Sequence, residues 1–247
     1  MIVRQTGDAL QLITQPDHAA LASEIMQHSV ALAEHPRRSS ILLAVAVHDN
    51  GWTEPDAAPL IDPATAIPFD FISAPIDIRQ GVWPRGVARL GYDPWAAALV
   101  AQHALVIFHR YRSDTAWTRF FVEMETLRRE LVEASGLLLQ ELLADYWFLG
   151  LGDLISLTFC NGWTDVQPFD PWSVRLSGSQ VFVSPDPFDG TAIPIAIEAK
   201  EIPRRAYRDE AEFQKELATA ATTSVRGVVT SSPSWPVGAP ASRTASP

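Results

Sequence analysis

The alternation of apolar and polar positions predicts β-structure at the two ends of the chain. Residues 1–14 contain MIVRQ and ALQLI on either side of the turn-forming triplet TGD, which is typical of a hairpin. A second region of period two follows the central part of the chain, with strands predicted in VRLSGSQVFVSP and AIPIAIEAKEIP. We expect residues 1–14 and 173–202 to form one small antiparallel sheet.

Between these ends, apolar positions recur at the spacing of one face of an α-helix. Pro16 and Pro94 stand where a first helical turn begins, and Asn50-Gly51 stands where a helix ends. The predicted helices cover about residues 16–34, 40–49, 93–112, 116–134, 137–160 and 209–221.

Residues 50–92 interrupt this helical pattern. They contain six prolines and four glycines, together with several aromatic side chains. A long segment with little regular structure is typically a functional loop or a linker, and aromatic residues are uncommon in linkers. We therefore predict a lid or pocket wall at residues 50–92.

The whole pattern predicts a mainly α fold. We expect a helical bundle with its core at residues 16–160 and a small sheet beside it, in a single domain over residues 1–221. Residues 222–247 are rich in Ser, Thr, Pro, Ala and Val and contain no acid, so we predict a disordered tail there.

Composition narrows the functional classes. The 247 residues are 47% hydrophobic and carry a formal net charge of −10, which is typical of a globular protein and disfavours nucleic-acid or anionic-membrane partners. The most apolar stretch, residues 137–160, contains three acids, which argues against a membrane span. With no targeting signal visible, we expect a cytoplasmic protein and leave a homodimer open. The single cysteine, Cys160, is expected to be a buried structural thiol.

The apolar stripes of the predicted helices carry polar residues that face inward. Asp49 and Asp153 are the most informative, because a buried unpaired carboxylate is costly and neither has a lysine or arginine adjacent in sequence. A divalent cation shared with neutral imidazoles would remove this cost. The predicted ligands, one or two from each stripe, are His18, His48, Asp49, His103 and Asp153.

Three imidazoles and two carboxylates suit iron, manganese or zinc. We expect one ion, with two left open. The alternative is a metal-free core, in which the same histidines and aspartates pair with one another.

The order His, His-Asp, Asp on successive helices resembles the HD superfamily of metal-dependent phosphohydrolases, over about residues 16–160. More specifically, ITQPDHA, VHDNGW followed by DAAP, DFISAP and GDLISLTFC resemble an uncharacterised bacterial family, domain of unknown function 3891, up to about residue 221. The superfamily resemblance implies a helical bundle with His18, His48, Asp49 and Asp153 as metal ligands. His103 corresponds to an additional histidine of some two-metal members.

A second ion would need a further histidine. His28 is a substitute candidate, whereas His109 is six residues from His103 and lies on another face of the same helix.

The resemblance implies a metal-dependent hydrolase, most plausibly a phosphohydrolase acting on a small anionic molecule. Glu54 and Asp56 follow the His-Asp pair and are the candidate proton-transfer residues; the alternative is that they are solvated loop acids. Arg79, Arg85 and Arg89 are candidates for binding an anionic group, with a solvated helix face as the alternative. Trp52 and Trp83 are the candidate pocket walls, unless they serve only in packing.

Two other functions remain open at this stage. One is an iron oxygenase that uses the same ligands. The other is a non-catalytic binding or structural module with a metal-free His/Asp cluster.

Overall fold

A layer of helices and a curved β-sheet make up the residues that the computed structural model describes, 1–231. The helices are α1 (Gln15–Met26), α2 (Val30–Ala33), α3 (Arg38–Val47), α4 (Thr53–Ala57), α5 (Ile76–Ala88), α6 (Pro94–Ile107), α7 (Thr118–Ser135), α8 (Leu139–Asn161) and α9 (Glu210–Thr219). The strands are β1 (Ile2–Thr6), β2 (Ala9–Ile13), β3 (Gln167–Phe169), β4 (Trp172–Ser177), β5 (Gln180–Ser184), β6 (Ile193–Pro203) and β7 (Ala221–Ser231). Short 3-10 helices occupy Asn50–Trp52, His109–Tyr111 and Thr115–Trp117.

The sheet has seven strands in the order β1-β2-β6-β7-β5-β4-β3. The predicted N-terminal hairpin is confirmed, and β2 pairs with β6, for example at Leu10 and Ile202, so the two ends of the chain meet in one sheet. β7 runs antiparallel to β6 and parallel to β5. The sheet is therefore mixed, and β7 joins its two halves.

The predicted fold class, a mainly α bundle with a small antiparallel sheet, is wrong. The structure is 51% helical and 21% strand, and its sheet curls into a half-barrel. The main element missing from the predicted sheet is β7, because it lies where a disordered tail was predicted. The rest of that predicted tail, residues 232–247, lies outside the described part of the chain. The sequence of β7, ATTSVRGVVTS, is rich in Ser and Thr, but its Thr and Val residues favour a strand once two neighbours pair with it.

Local sequence signals set the helix ends near the centre of the fold. The Thr14 side chain caps α1, and Asp93 caps α6 by accepting a hydrogen bond from Ala96 N. Two predictions need correction. The first helix ends at Met26 instead of continuing to residue 34, and residues 50–92 include the helices α4 and α5. The high proline and glycine content concealed α5, which contains Pro84 in its interior.

α8 is the central helix of the molecule. It contacts α1, α3 and α6 on one side and β1, β3, β4 and β5 on the other. By length and composition it is the one helix in the described chain that could cross a membrane, with a mean hydropathy of 1.3, but 72% of that window is buried within the protein. Its apolar character is therefore that of a core helix.

Close packing around Gly51 fixes the position of α5 next to α3. A Cβ atom added to Gly51 would lie only 1.9 Å from the carbonyl oxygen of Val82 in α5. Because backbone atoms cannot yield as a flexible side chain does, a glycine is needed at this contact.

We predict that Gly51→Ala lowers the free energy of unfolding by about 1–3 kcal/mol, as overpacking in a close-packed interior does. Chemical denaturation monitored by circular dichroism measures this change. Gly81→Ala is the matched control, because its new Cβ has ordinary space in α5 and should stabilise the helix by about 0.5–1 kcal/mol. Equal effects of the two substitutions would contradict the packing argument.

Candidate metal centre

Four helices bring the five predicted ligands together in the interior. His18 lies in α1, His48 and Asp49 follow the end of α3, His103 lies in α6 and Asp153 lies in α8. All five residues are at most 9% exposed. The structure therefore brings the five candidate ligands together in the core.

The side chains form two overlapping groups of three that share His48. In the first group, Oδ2 of Asp49 lies 2.8 Å from Nε2 of His18 and 3.7 Å from Nε2 of His48. In the second group, the two carboxylate oxygens of Asp153 lie 3.3 Å from Nε2 of His48 and 3.6 Å from Nε2 of His103. Within each group, the ligand atoms all lie within 4.8 Å of one another.

These separations fit the edges of a metal coordination shell. Ligand atoms bonded to zinc at about 2.0–2.2 Å lie about 2.8–3.6 Å apart in octahedral or tetrahedral geometry. The observed distances, 2.8–3.7 Å, bracket that range. The buried His and Asp groups could therefore hold a metal ion.

Hydrogen bonds fix the tautomers of two of the histidines. The hydroxyl of Ser156 donates to the carbonyl oxygen of Asp153, so its oxygen accepts from Nδ1 of His18 at 3.0 Å. Nδ1 of His48 donates to the carbonyl oxygen of Val45 at 2.8 Å. In the neutral rings, both Nε2 atoms therefore direct a lone pair toward the carboxylates, as metal ligation requires.

The third imidazole, His103, is positioned by a tyrosine. Its Nδ1 atom lies 3.0 Å from the hydroxyl of Tyr146, and burial raises the pKa of that hydroxyl. The ring planes of successive histidines are nearly perpendicular, with centroids 5.1 Å apart from His18 to His48 and from His48 to His103. The three Nε2 atoms thus approach the carboxylates from different directions.

Without an ion, the cluster would be balanced by a proton. Burial lowers the pKa of His48, but Asp49 and Asp153 outweigh it and raise that pKa to about 9. Burial also lowers the pKa of His103 to about 4. Burial raises the pKa of Asp153, but the surrounding histidines outweigh this effect and lower the pKa of Asp153 to about 2. Nε2 of His48 nevertheless has no hydrogen-bond partner among residues 1–231, since its contact with Asp153 lacks hydrogen-bonding geometry.

A pocket of about 220 Å³ opens directly onto this cluster. Asp49, His103 and Asp153 form part of its wall. The remaining wall is largely aromatic and aliphatic, and it consists of Gln15, Trp52, Phe71, Ile72, Arg79, Trp83, Ile107, Phe108, Arg110, Leu157 and Trp163. The predicted wall residues Trp52 and Trp83 and the predicted anion-binding residue Arg79 therefore lie in this pocket.

The structure places Glu54 and Arg85 elsewhere. Their side chains form a surface ion pair at 3.1 Å, and Arg89 contacts the same carboxylate. Neither Glu54 nor Arg85 lines the pocket, so the predicted roles in proton transfer and substrate binding do not fit. The partners of Glu54 lie 31 and 35 residues along the chain, which local sequence could not reveal.

Asp56 is a structural anchor instead of the predicted proton-transfer residue. Its buried carboxylate lies 2.5 Å from the amino group of Met1 and accepts a hydrogen bond from the backbone N–H of Gln15 at 2.6 Å. Burial raises its pKa, although Met1 and Gln15 oppose that shift. The pocket contains Gln15, so Asp56 fixes the backbone of one pocket residue.

Other sequence candidates lie away from the cluster. His28 and His109 are exposed, and the metal-ligating groups found in the described chain include neither of them. Cys160 is fully buried, and burial raises its pKa, as expected of a structural thiol.

Sequence reasoning missed Gln15, Arg110 and Trp163, which stand at or beyond helix ends, where periodicity carries no signal. Ser156 is different: it follows Asp153 by three residues, and the helical spacing places both residues on one face.

The model for the family "Protein of unknown function (DUF3891)" matches residues 1–204. The chain belongs to this family. No curated protein and no solved structure matches the chain. All five candidate ligands lie within the matched residues. The structure supports the HD-like pattern in one respect, which is that these His and Asp groups could hold a metal ion.

We predict that the DUF3891 protein, purified without a tag, contains iron, manganese or zinc at near-stoichiometric level. The double substitution Asp49→Ala, Asp153→Ala should abolish that content, because it removes the anionic ligand of each group. Elemental analysis measures both. In addition, metal at 100 times its dissociation constant should stabilise the metal-stripped parent by about 2.7 kcal/mol.

His28→Ala and His109→Ala are the controls, since both side chains are exposed outside the cluster. They should retain the metal. A parent protein that stays metal-free after dialysis against each ion, with an unchanged melting temperature, would favour the metal-free core.

We also predict that metal affinity rises with pH between about pH 6.5 and about pH 9. The pKa of His48 in the metal-free fold lies above its ordinary value, so the ring carries a proton in this range that a cation must displace. Calorimetric titration in buffers of different ionisation enthalpy should show release of about one proton near neutral pH. Affinity independent of pH over this interval would argue against a protonated His48.

Proposed function

We propose that this protein is a metal-dependent hydrolase that acts on a small phosphorylated molecule. One observation carries the proposal: three imidazoles and two carboxylates, supplied by four helices, converge where a pocket of about 220 Å³ meets the core. Without an ion, Nε2 of His48 carries its proton between two carboxylates and yet lacks a hydrogen bond within the described residues, and a bound cation would relieve this arrangement.

The residues that would hold the ion are His18, His48 and Asp49 in one group and His48, His103 and Asp153 in the other. A bound divalent ion supplies Lewis-acid polarisation of a phosphoryl oxygen and lowers the pKa of a bound water. The hydrogen bonds from Nδ1 of His18 and His48 keep both rings in the ligating orientation.

Proton transfer falls to a carboxylate of the pocket itself, because Glu54 and Asp56 lie elsewhere. Both oxygens of Asp153 face histidines, whereas the closest contacts of Asp49 with His18 and His48 are both made by Oδ2. Oδ1 of Asp49 has no hydrogen bond within the described residues, and Asp49 lines the pocket. We assign Oδ1 of Asp49 as the atom that accepts the proton of the attacking water.

The pocket also holds two polar atoms that a ligand or water could satisfy, one an acceptor and one a donor. Oε1 of Gln15 and Nε1 of Trp83 are buried and lack hydrogen-bond partners in the described chain. Such atoms are costly in a core unless a ligand or water satisfies them. The indole N–H of Trp83 can donate to a phosphoryl oxygen, while tryptophan rings exclude bulk water from the same space.

The test is hydrolysis of p-nitrophenyl phosphate and bis(p-nitrophenyl) phosphate by protein loaded with iron, manganese or zinc. We predict that Asp49→Asn lowers kcat/KM about 100-fold or more, as loss of a general base does. Elemental analysis should show that this variant still contains metal, because His48, His103 and Asp153 are unchanged.

His109→Ala is the activity control, because the side chain is exposed and outside the pocket. Fully metallated protein that hydrolyses neither ester, nor any of a broader panel of phosphates, would refute the hydrolase. Oxygen consumption by the iron form under the same conditions would instead indicate an oxygenase.

A further inference from the structure

Two arginines of the pocket flank one tyrosine ring. The guanidinium of Arg79, in α5, lies 5.6 Å from the ring centre of Tyr111, and that of Arg110 lies 4.8 Å from the same ring. Tyr111 stacks on Trp117 with an interplanar angle of 6°, and Arg79 also lies over the Trp117 ring. The aromatic pair therefore holds Arg79 in place.

Neither arginine has a carboxylate partner within residues 1–231, although the protein is strongly acidic. Six other arginines of the described chain, among them Arg37, Arg85 and Arg112, do form ion pairs with acidic side chains. Nε of Arg79 is also buried without a hydrogen-bond partner. Two unneutralised cations against one ring repel each other, and an anion bound near both of them would offset that repulsion.

The pKa of the Tyr111 hydroxyl is consistent with a positive potential at this place. Partial burial raises the pKa of Tyr111, but the adjacent Arg79 and Arg110 outweigh this effect and lower the pKa overall. A site that favours a phenolate over a phenol also favours a carboxylate or phosphate ligand.

The arginine pair is separated from the metal cluster along the helices. Arg79 precedes Trp83 by one turn of α5, about 6 Å along the axis, and the Trp83 ring lies 5.6 Å from the ring of His103. Arg110 follows His103 by seven residues, beyond the end of α6. Trp83 and His103 thus mark the inner end of the pocket, and the arginines mark the outer end.

The wall between the two ends is apolar. Ile107 and Ile72 remain 39% and 48% exposed at the outer side, and Phe71 and Trp163 belong to the same pocket. A cavity of about 150 Å³ lined by apolar side chains holds a benzene molecule. The volume here, about 220 Å³, suits one substituted aromatic ring or an aliphatic group of similar size.

We propose that Arg79 and Arg110 form a second anion subsite, which binds the non-reacting anionic end of the substrate. The substrate class is then a small molecule with a phosphoryl group at one end, a flat apolar body and a carboxylate or second phosphate at the other end. The phosphoryl end rests on the proposed hydrolase function, whereas the arginine subsite does not depend on a metal.

The experiment titrates metal-free protein with benzoate and with benzamide, its neutral isostere, and follows the indole N–H signals by two-dimensional NMR. Substitution of Trp83 and Trp163 by Phe, one at a time, assigns the signals that report on the pocket. We expect benzoate to shift these signals and to bind about tenfold more tightly than benzamide, because a guanidinium binds a carboxylate through charge-assisted hydrogen bonds.

Arg79→Gln and Arg110→Gln should each remove most of that preference and leave benzamide binding unchanged. Arg110 is exposed, so its substitution is not expected to disturb folding. Arg112→Gln is the matched control, because Arg112 pairs with Glu125 outside the pocket. Its preference for benzoate should equal that of the parent.

Two results would overturn the subsite. The first is equal binding of benzoate and benzamide, which would show an apolar pocket alone. The second is benzoate binding that appears only after manganese is added and survives both arginine substitutions, which would place the carboxylate on the metal. The main titration contains no metal and measures no turnover, so it tests the subsite independently of catalysis. A protein that hydrolyses no phosphate ester but still prefers benzoate would refute the proposed hydrolase and support the anion subsite.

Discussion

The burial of two carboxylates, Asp49 and Asp153, is the constraint on which the central part of this structure depends. An ionised carboxylate in a protein interior needs a compensating positive charge, and here the surrounding groups are imidazoles with their Nε2 atoms inward. Four helices must meet closely to supply those groups, which explains the small residues on their contact faces. Gly152, next to Asp153, is one of these: an added Cβ would lie 2.7 Å from the side chain of Met26 in α1.

The candidate ligands could be predicted because their signal is local. A histidine or aspartate on an apolar helical stripe is visible in the spacing of a single helix, as for His103 and Asp153. The partners of Glu54 and Asp56 lie far away in sequence, so the local sequence gives no indication of the contacts that these carboxylates make. The large sheet escaped prediction for a similar reason: β7 is stabilised by β5 and β6 more than by its own composition.

The family match and the sheet have different boundaries. Residues 1–204 contain all the candidate ligands and six of the seven strands, whereas β7 begins at Ala221. Because β7 lies between β6 and β5, the matched residues by themselves would leave two separate three-stranded pieces with unpaired edges. The helical layer that carries the site and the strand that completes the sheet thus come from different parts of the chain.

The position of His48 has a consequence for stoichiometry. Both three-residue groups include its Nε2 atom, and its other ring nitrogen is held by the carbonyl oxygen of Val45. One nitrogen lone pair forms one bond to one ion, so two ions cannot both have a complete set of three ligands. Binding of an ion at either position therefore lowers the metal affinity of the other position. A first equivalent of metal would bind with three protein ligands, and a second equivalent would bind more weakly because it lacks the His48 imidazole.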